Sequence, residues 1–164
     1  MAIFNGEYAS NMDAKGRVLL PARIKARMPE SSRHEIILGR GMEPCLIIYT
    51  KESYDKEFQR IDALDRFNRE HRKLQRNFFR GSEDIELDNQ GRFRIPQRMA
   101  QYAHLRKELL IVGAGTVLEI WNPDLYDEYI LDDPDDYSDM AQKHLYGSPS
   151  DNDVSSRGTT GGEY

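Results

Sequence analysis

Asp13–Ile24 reads DAKGRVLLPARI and Asp88–Met99 reads DNQGRFRIPQRM, so the chain holds one structural unit twice. Asp13, Gly16, Arg17, Pro21 and Arg23 recur as Asp88, Gly91, Arg92, Pro96 and Arg98 at a constant spacing of 75 residues. An internal repeat of this kind sets the architecture before any single window is read. Within each copy, aspartate closes a turn through its carboxylate, glycine supplies a positive φ, and arginine stands at the turn exit. A short strand follows, in which Val18/Leu20 and Phe93/Ile95 point one way while Arg17/Leu19 and Arg92/Arg94 point the other. Pro21 and Pro96 suit the first turn of a helix, which predicts short helices over Pro21–Met28 and Pro96–Leu105.

The repeat continues on both sides of this unit. Phe4-Asn5-Gly6 matches Phe79-Arg80-Gly81, Ile37–Gly41 matches Ile111–Gly115, and Leu46–Tyr49 matches Leu118–Trp121. Tyr54-Asp55 then matches Tyr126-Asp127. The halves run from Ile3 to Phe78 and from Phe79 to Leu131. Ile36–Leu38, Leu109–Val112, Leu46–Tyr49 and Val117–Trp121 are short apolar runs that predict strands. Gly39/Gly41 and Gly113/Gly115 punctuate them as turns or bulges. Ser53–Phe79 has a helical pattern, with Phe67, His71, Leu74 and Phe78 spaced along one face and Arg66, Arg69, Arg72, Lys73 and Arg76 over much of the rest. The organisation expected is a first repeat over residues 1–52, a helical link over 53–78, a second repeat over 79–131 and a tail over 132–164.

The net charge of −5 is unevenly distributed. Of 28 acids and 23 Lys/Arg, 8 and 2 fall in residues 132–164, which leaves 20 and 21 in residues 1–131, a net of +1. The acidity belongs to the tail, which is expected to be largely disordered, its DDPDDYSDMAQKHLYG segment offering Tyr137, Met140 and Leu145 as anchors for a short docking helix. A near-neutral body still binds DNA where its cations cluster, because affinity follows local phosphate neutralisation. No window approaches the roughly 20 apolar residues that span a bilayer, and MAIFNGEY has no signal-peptide pattern, so a soluble intracellular protein is expected. The lone Cys45, inside CLIIY, reads as a small buried hydrophobe.

Catalytic and metal constellations are not found in the pattern. His34, His71, His104 and His144 are scattered without metal-ligand spacing. Gly39-Arg40-Gly41 and Gly113-Ala114-Gly115 lack the remaining glycine of a dinucleotide fingerprint. Asp13 and Asp88 precede glycine turns, which favours backbone hydrogen bonding over a carboxylate dyad. The remaining chemistry is cationic. Lys15 and Arg17 leave the first turn on alternate positions, Arg92 and Arg94 do likewise in the second, and Arg23 and Arg98 open the following helices. A guanidinium on a rigid β-turn loses little freedom on binding and can bond a phosphate or a guanine edge bidentately.

With both copies laid side by side, the chain resembles the MraZ family of bacterial transcriptional regulators. The resemblance rests on DAKGR and DNQGR, each followed by an apolar strand and proline, with GRG/GAG and LIIY/LEIW, and it covers Ile3 to Leu131. It implies an AbrB-like (SpoVT-AbrB) swapped-hairpin β-barrel, mainly β with short helices, formed pseudo-symmetrically by two repeats. It further implies an octameric ring on short repeated promoter boxes, in the promoter of a division and cell-wall gene cluster that includes the protein's own gene. A cytoplasmic, nucleoid-associated repressor is expected, with double-stranded DNA as partner and no cofactor, metal, membrane or enzymatic activity. The family's DNA-binding turn falls on Lys15 and Arg17 in the first repeat and on Arg92 in the second. Gln90 stands where the first copy has Lys15, and Arg94 where it has Leu19, so equal roles do not follow. The alternative reading is an oligomeric scaffold whose basic helix recruits a protein.

Overall fold

Strand patterning and turn chemistry place eight strands, six α-helices and two short 3-10 turns in the computed structural model, which describes residues 1–147. The first repeat forms β1 (Glu7–Asn11), β2 (Arg17–Leu19), α1 (Ala22–Arg27), β3 (Glu35–Arg40) and β4 (Leu46–Tyr49). After α2 (Lys51–Asp62) and α3 (Arg69–Arg80), the second forms β5 (Glu83–Glu86), β6 (Arg92–Arg94), α4 (Gln97–Tyr102), β7 (Glu108–Gly113), β8 (Val117–Trp121) and α5 (Pro123–Tyr126). Met1–Tyr126 is one compact unit. The described part of a second unit, which begins at Asp127, contains α6 (Pro134–His144), whose first turn is capped by the Asp133 carboxylate. The tail segment predicted to be disordered beyond Gly147 lies outside the described residues.

The fold is mainly β with short helices, built from two interleaved repeats. One sheet has six strands in the order β1-β7-β8-β4-β3-β5, and a separate ribbon pairs β2 with β6. Exchanging the repeats converts that order into its own reverse, the signature of a pseudo-twofold axis. Hairpins β3·β4 and β7·β8 stay within their repeats, whereas β1 pairs with β7 and β5 with β3. Each repeat therefore donates its leading strand to the other. At the axis, equivalent residues pair with each other: Val18 with Phe93 in the ribbon and Ile47 with Glu119 between β4 and β8.

One core serves both sheets. Val18, Leu20, Phe93 and Ile95 from the ribbon side pack in the same buried cluster as Ile36, Leu38, Ile48, Ile111, Leu118 and Ile120. The period-2 reading of the strands is what puts them there. Cys45 is fully buried with Val112 and Trp121 in a smaller cluster, and burial pushes its thiol up to about 12.

Four expectations are corrected by packing. The link between repeats is two helices, because Asn68 accepts hydrogen bonds from the Glu70 and His71 amides and starts α3 afresh. Phe67 consequently lies before the cap and is 96% exposed, and Leu74 is half-exposed. The position that α3 buries is Gln75, whose Nε2 donates to the Ile61 and Leu64 carbonyls and closes the end of α2. Secondly, Gly39 and Gly113 lie inside β3 and β7, in regular register with Ile47 and Leu118, instead of in turns or bulges. A Cβ on Gly113 would collide with the Asn5 backbone, so glycine there admits the N-terminal segment. Thirdly, the match of Phe4-Asn5-Gly6 to Phe79-Arg80-Gly81 is not structural: Phe4 is buried and bridges to Gly115, while Phe79 lies in α3. Pro21 and Pro96 also sit one position earlier than expected, at the caps of α1 and α4.

Phe93 joins the axis of the ribbon to the core, and its truncation leaves a cavity that strand pairing prevents from collapsing. Phe93→Ala is expected to cost roughly 3–5 kcal/mol of unfolding free energy, read by urea titration. Leu19→Ala, on the exposed side of the same ribbon, is expected to leave the midpoint within about 0.5 kcal/mol of wild type.

Candidate nucleic-acid interface

The two glycine turns have the same construction down to individual bonds. Asp13 Oδ1 accepts from the Lys15 and Arg17 amides at 2.9 and 2.8 Å, and Oδ2 accepts from Arg17 Nε at 2.8 Å. Asp88 repeats this with the Gln90 and Arg92 amides at 2.9 and 2.8 Å and Arg92 Nε at 2.8 Å. The Gly16 and Gly91 amides donate back to the carbonyls of Asp13 and Asp88. Gly16 has φ +79 and Gly91 φ +80, in the left-handed region where a Cβ is strained. These backbone bonds, with the arginine beside them, hold the Asp13 and Asp88 carboxyls below the ordinary aspartate range.

Arg17 and Arg92 are thus held by Nε to their own turn. Their Nη groups make no hydrogen bond or ion pair among the described residues, so the outer end of each fork is available to a ligand. A rigid turn is expected to hold each arginine, and the aspartate adds a bond that fixes the guanidinium plane in advance.

The ribbon then sets the turns against each other. Ile95 N donates to Gly16 O at 2.8 Å and Leu20 N to Gly91 O at 2.9 Å, tying each turn to the opposite strand. Val18 and Phe93 are buried on one face, so Arg17, Leu19, Arg92 and Arg94 share the other. There Arg17 stands opposite Arg94, and Leu19 opposite Arg92. Like charges directly opposite on a ribbon are unfavourable unless an anion covers them.

Two features of the surroundings differ between the turns. Arg94 Cγ lies 3.9 Å from where a Gly16 Cβ would stand, so the first turn has Lys15, Arg17 and Arg94 together. At the second turn Gln90 replaces the lysine, but Lys25 from α1 lies against it, its Nζ 3.3 Å from a Gly91 Cβ position. Lys25 was not singled out from sequence because its repeat counterpart is Ala100, and only the packing of α1 reveals its position. Arg23 and Arg98 are exposed on α1 and α4 and bond to neither turn among the described residues. Asp13 and Asp88 each engage their own turn, and among the described residues no group of three or more His, Cys, Asp or Glu side chains could hold a metal ion.

These features define a class: intertwined two-repeat β proteins that present two aspartate-anchored arginine turns on one ribbon. The chain belongs to the MraZ family, whose description reads "MraZ protein, putative antitoxin-like" and which it matches over residues 3–77 and again over 78–144. It is similar to the transcriptional regulator MraZ of Cytophaga hutchinsonii, with 41% identity over 145 residues, 88% of this chain and 96% of the relative. The transcriptional regulators MraZ of Carboxydothermus hydrogenoformans and Finegoldia magna are 37% and 34% identical, over 86% and 85% of this chain and 96% and 94% of their own lengths.

Gly16→Ala and Gly91→Ala are each expected to cost roughly 1–2 kcal/mol from the left-handed backbone alone. Gly16→Ala should cost more, because its Cβ would lie 3.1 Å from the Ile95 carbonyl oxygen, whereas Gly91 faces only the movable Lys25 chain. Urea titration of both variants checks the order. Because both aspartate pKa values are depressed on folding, their stabilisation is fully present above the ordinary value of 3.8 and is lost as pH falls through the lower folded values. NMR titration of the Arg17 and Arg92 Nε–H signals should accordingly be flat from neutral pH to about 4 and move only below it.

Proposed function

We propose that the chain is a transcriptional regulator that binds double-stranded promoter DNA through the outer face of the β2·β6 ribbon. The single observation that carries this reading is the pair of identical turns whose arginines are fixed by Nε with their Nη ends facing outward. A two-stranded ribbon fits the major groove, and a pre-oriented guanidinium can bond guanine O6 and N7 bidentately at little entropic cost. Since Asp13 and Asp88 offset the charge of Arg17 and Arg92, those two arginines read bases. Lys15, Lys25 and Arg94 neutralise phosphates.

About three phosphate contacts per copy give weak binding, so the affinity comes from several copies engaging repeated boxes at once. Family membership supports the rest of the reading: a ring, an octamer, that represses the division and cell-wall gene cluster including its own gene, in the cytoplasm at the nucleoid. Arg23 and Arg98 are assigned peripheral phosphate contacts.

Electrophoretic or fluorescence titration against the chain's own upstream region tests the division of labour. Lys15→Ala should reduce the slope of log affinity against log salt by about 1 per engaged copy and weaken all sequences alike. Arg17→Ala should cost about 1–3 kcal/mol on the specific site and little on unrelated DNA. Binding that survives Arg17→Ala and ignores salt contradicts the proposal.

A further inference from the structure

The cations of α3 gather on one side of the helix. At about 100° per residue, Arg69, Arg72, Lys73, Arg76 and Arg80 fall within roughly one 100° arc, next to the side that buries Gln75. All five are exposed, and none forms an ion pair among the described residues. The stripe is bordered by Phe79, which makes an edge contact with Phe58 of α2, and both rings are more than a third exposed. Cations flanking bare aromatic rings suit an amphipathic acidic segment better than a phosphate backbone, which offers nothing to the rings.

The chain contains such a segment. On α6, Asp135, Asp136 and Asp139 fall within roughly one 100° arc that also holds Lys143 and is bordered by Met140, while Tyr137 and Ala141 lie toward the opposite side. Tyr137 and Met140 are 62% and 44% exposed. The helix has 11 residues against 12 in α3, so the two are close in length, and they are opposite in sign: three aspartates and one lysine on α6, five Lys/Arg and one glutamate on α3.

We propose that α6 of one copy docks along the α3 stripe of a second copy, with Asp135, Asp136 and Asp139 against Arg69, Arg72 and Arg76 and Met140 against Phe79. Because every copy has both a stripe and an α6, the contact is heterologous and propagates from copy to copy until it closes. The inference rests on the self-association in the proposed function and gives that association a surface.

The test uses full-length chains and sedimentation velocity. Arg72→Glu/Arg76→Glu and Asp135→Lys/Asp139→Lys each place like charges together. Each variant alone should lose more than about tenfold in association constant while keeping its circular dichroism spectrum. Mixing the two variants should restore assembly, since each supplies the surface the other lacks. So should combining both pairs of changes in one chain. Mixing that restores nothing overturns the proposal and indicates docking within one chain. Loss of DNA affinity in Arg72→Glu/Arg76→Glu with unchanged assembly also overturns it and assigns the stripe to phosphates. A wild type that stays monomeric refutes the self-association itself, whereas a wild type that assembles regardless of either variant refutes only this contact.

Discussion

The pairing of Val18 with Phe93 is the constraint on which the molecule depends. These two residues are equivalent positions of the two repeats, and their pairing forces each copy of the turn to be completed by the other. The ladder bonds from Ile95 to Gly16 and from Leu20 to Gly91 follow from that register. So does the segregation of the ribbon into a buried apolar face and an exposed face with three arginines. A one-residue slip would turn Val18 and Phe93 out to solvent and bury the arginines, so the core fixes the register strongly.

The consequence is a surface that works against its own stability. Arg17 and Arg94 face each other directly, and only part of that repulsion is relieved by the nearby aspartate of the first turn. Sites that violate a local rule in an otherwise consistent fold are expected where function requires it. The two turns are equal in backbone geometry and unequal in charge. Lys15 belongs to its own turn, whereas the second turn borrows Lys25 from α1 of the other repeat. An approximate twofold axis thus presents a directional surface, suited to a target with a defined orientation.

Most of the fold was legible because the signals were local and came twice. Asp, Gly and Arg at fixed offsets gave the turns, and alternation gave the inward set Val18, Leu20, Phe93 and Ile95. What escaped depended on partners distant in sequence. The exchange of β1 and β5 between repeats follows from tertiary pairing that no window contains. Phe67 fitted a helical stripe by spacing, yet Asn68 caps a new helix that begins at Arg69, and a polar residue, Gln75, took the buried position by closing the end of α2. At the candidate site the turn residues were legible and the pinning of Arg17 and Arg92 by their own aspartates was not. Both residues were in view, but from sequence the aspartate reads as bonding only the backbone and the arginine as held only by the turn, not as bonded to each other.

The central claim is that the Nη ends of the ribbon arginines meet DNA. Arginine-selective NMR of the full chain, titrated with a duplex from its own upstream region, addresses this most directly. The account predicts that the Arg17, Arg92 and Arg94 guanidinium signals shift and broaden while those of Arg72 and Arg76 stay in place. Shifts confined to the α3 arginines, with the ribbon unchanged, would contradict it.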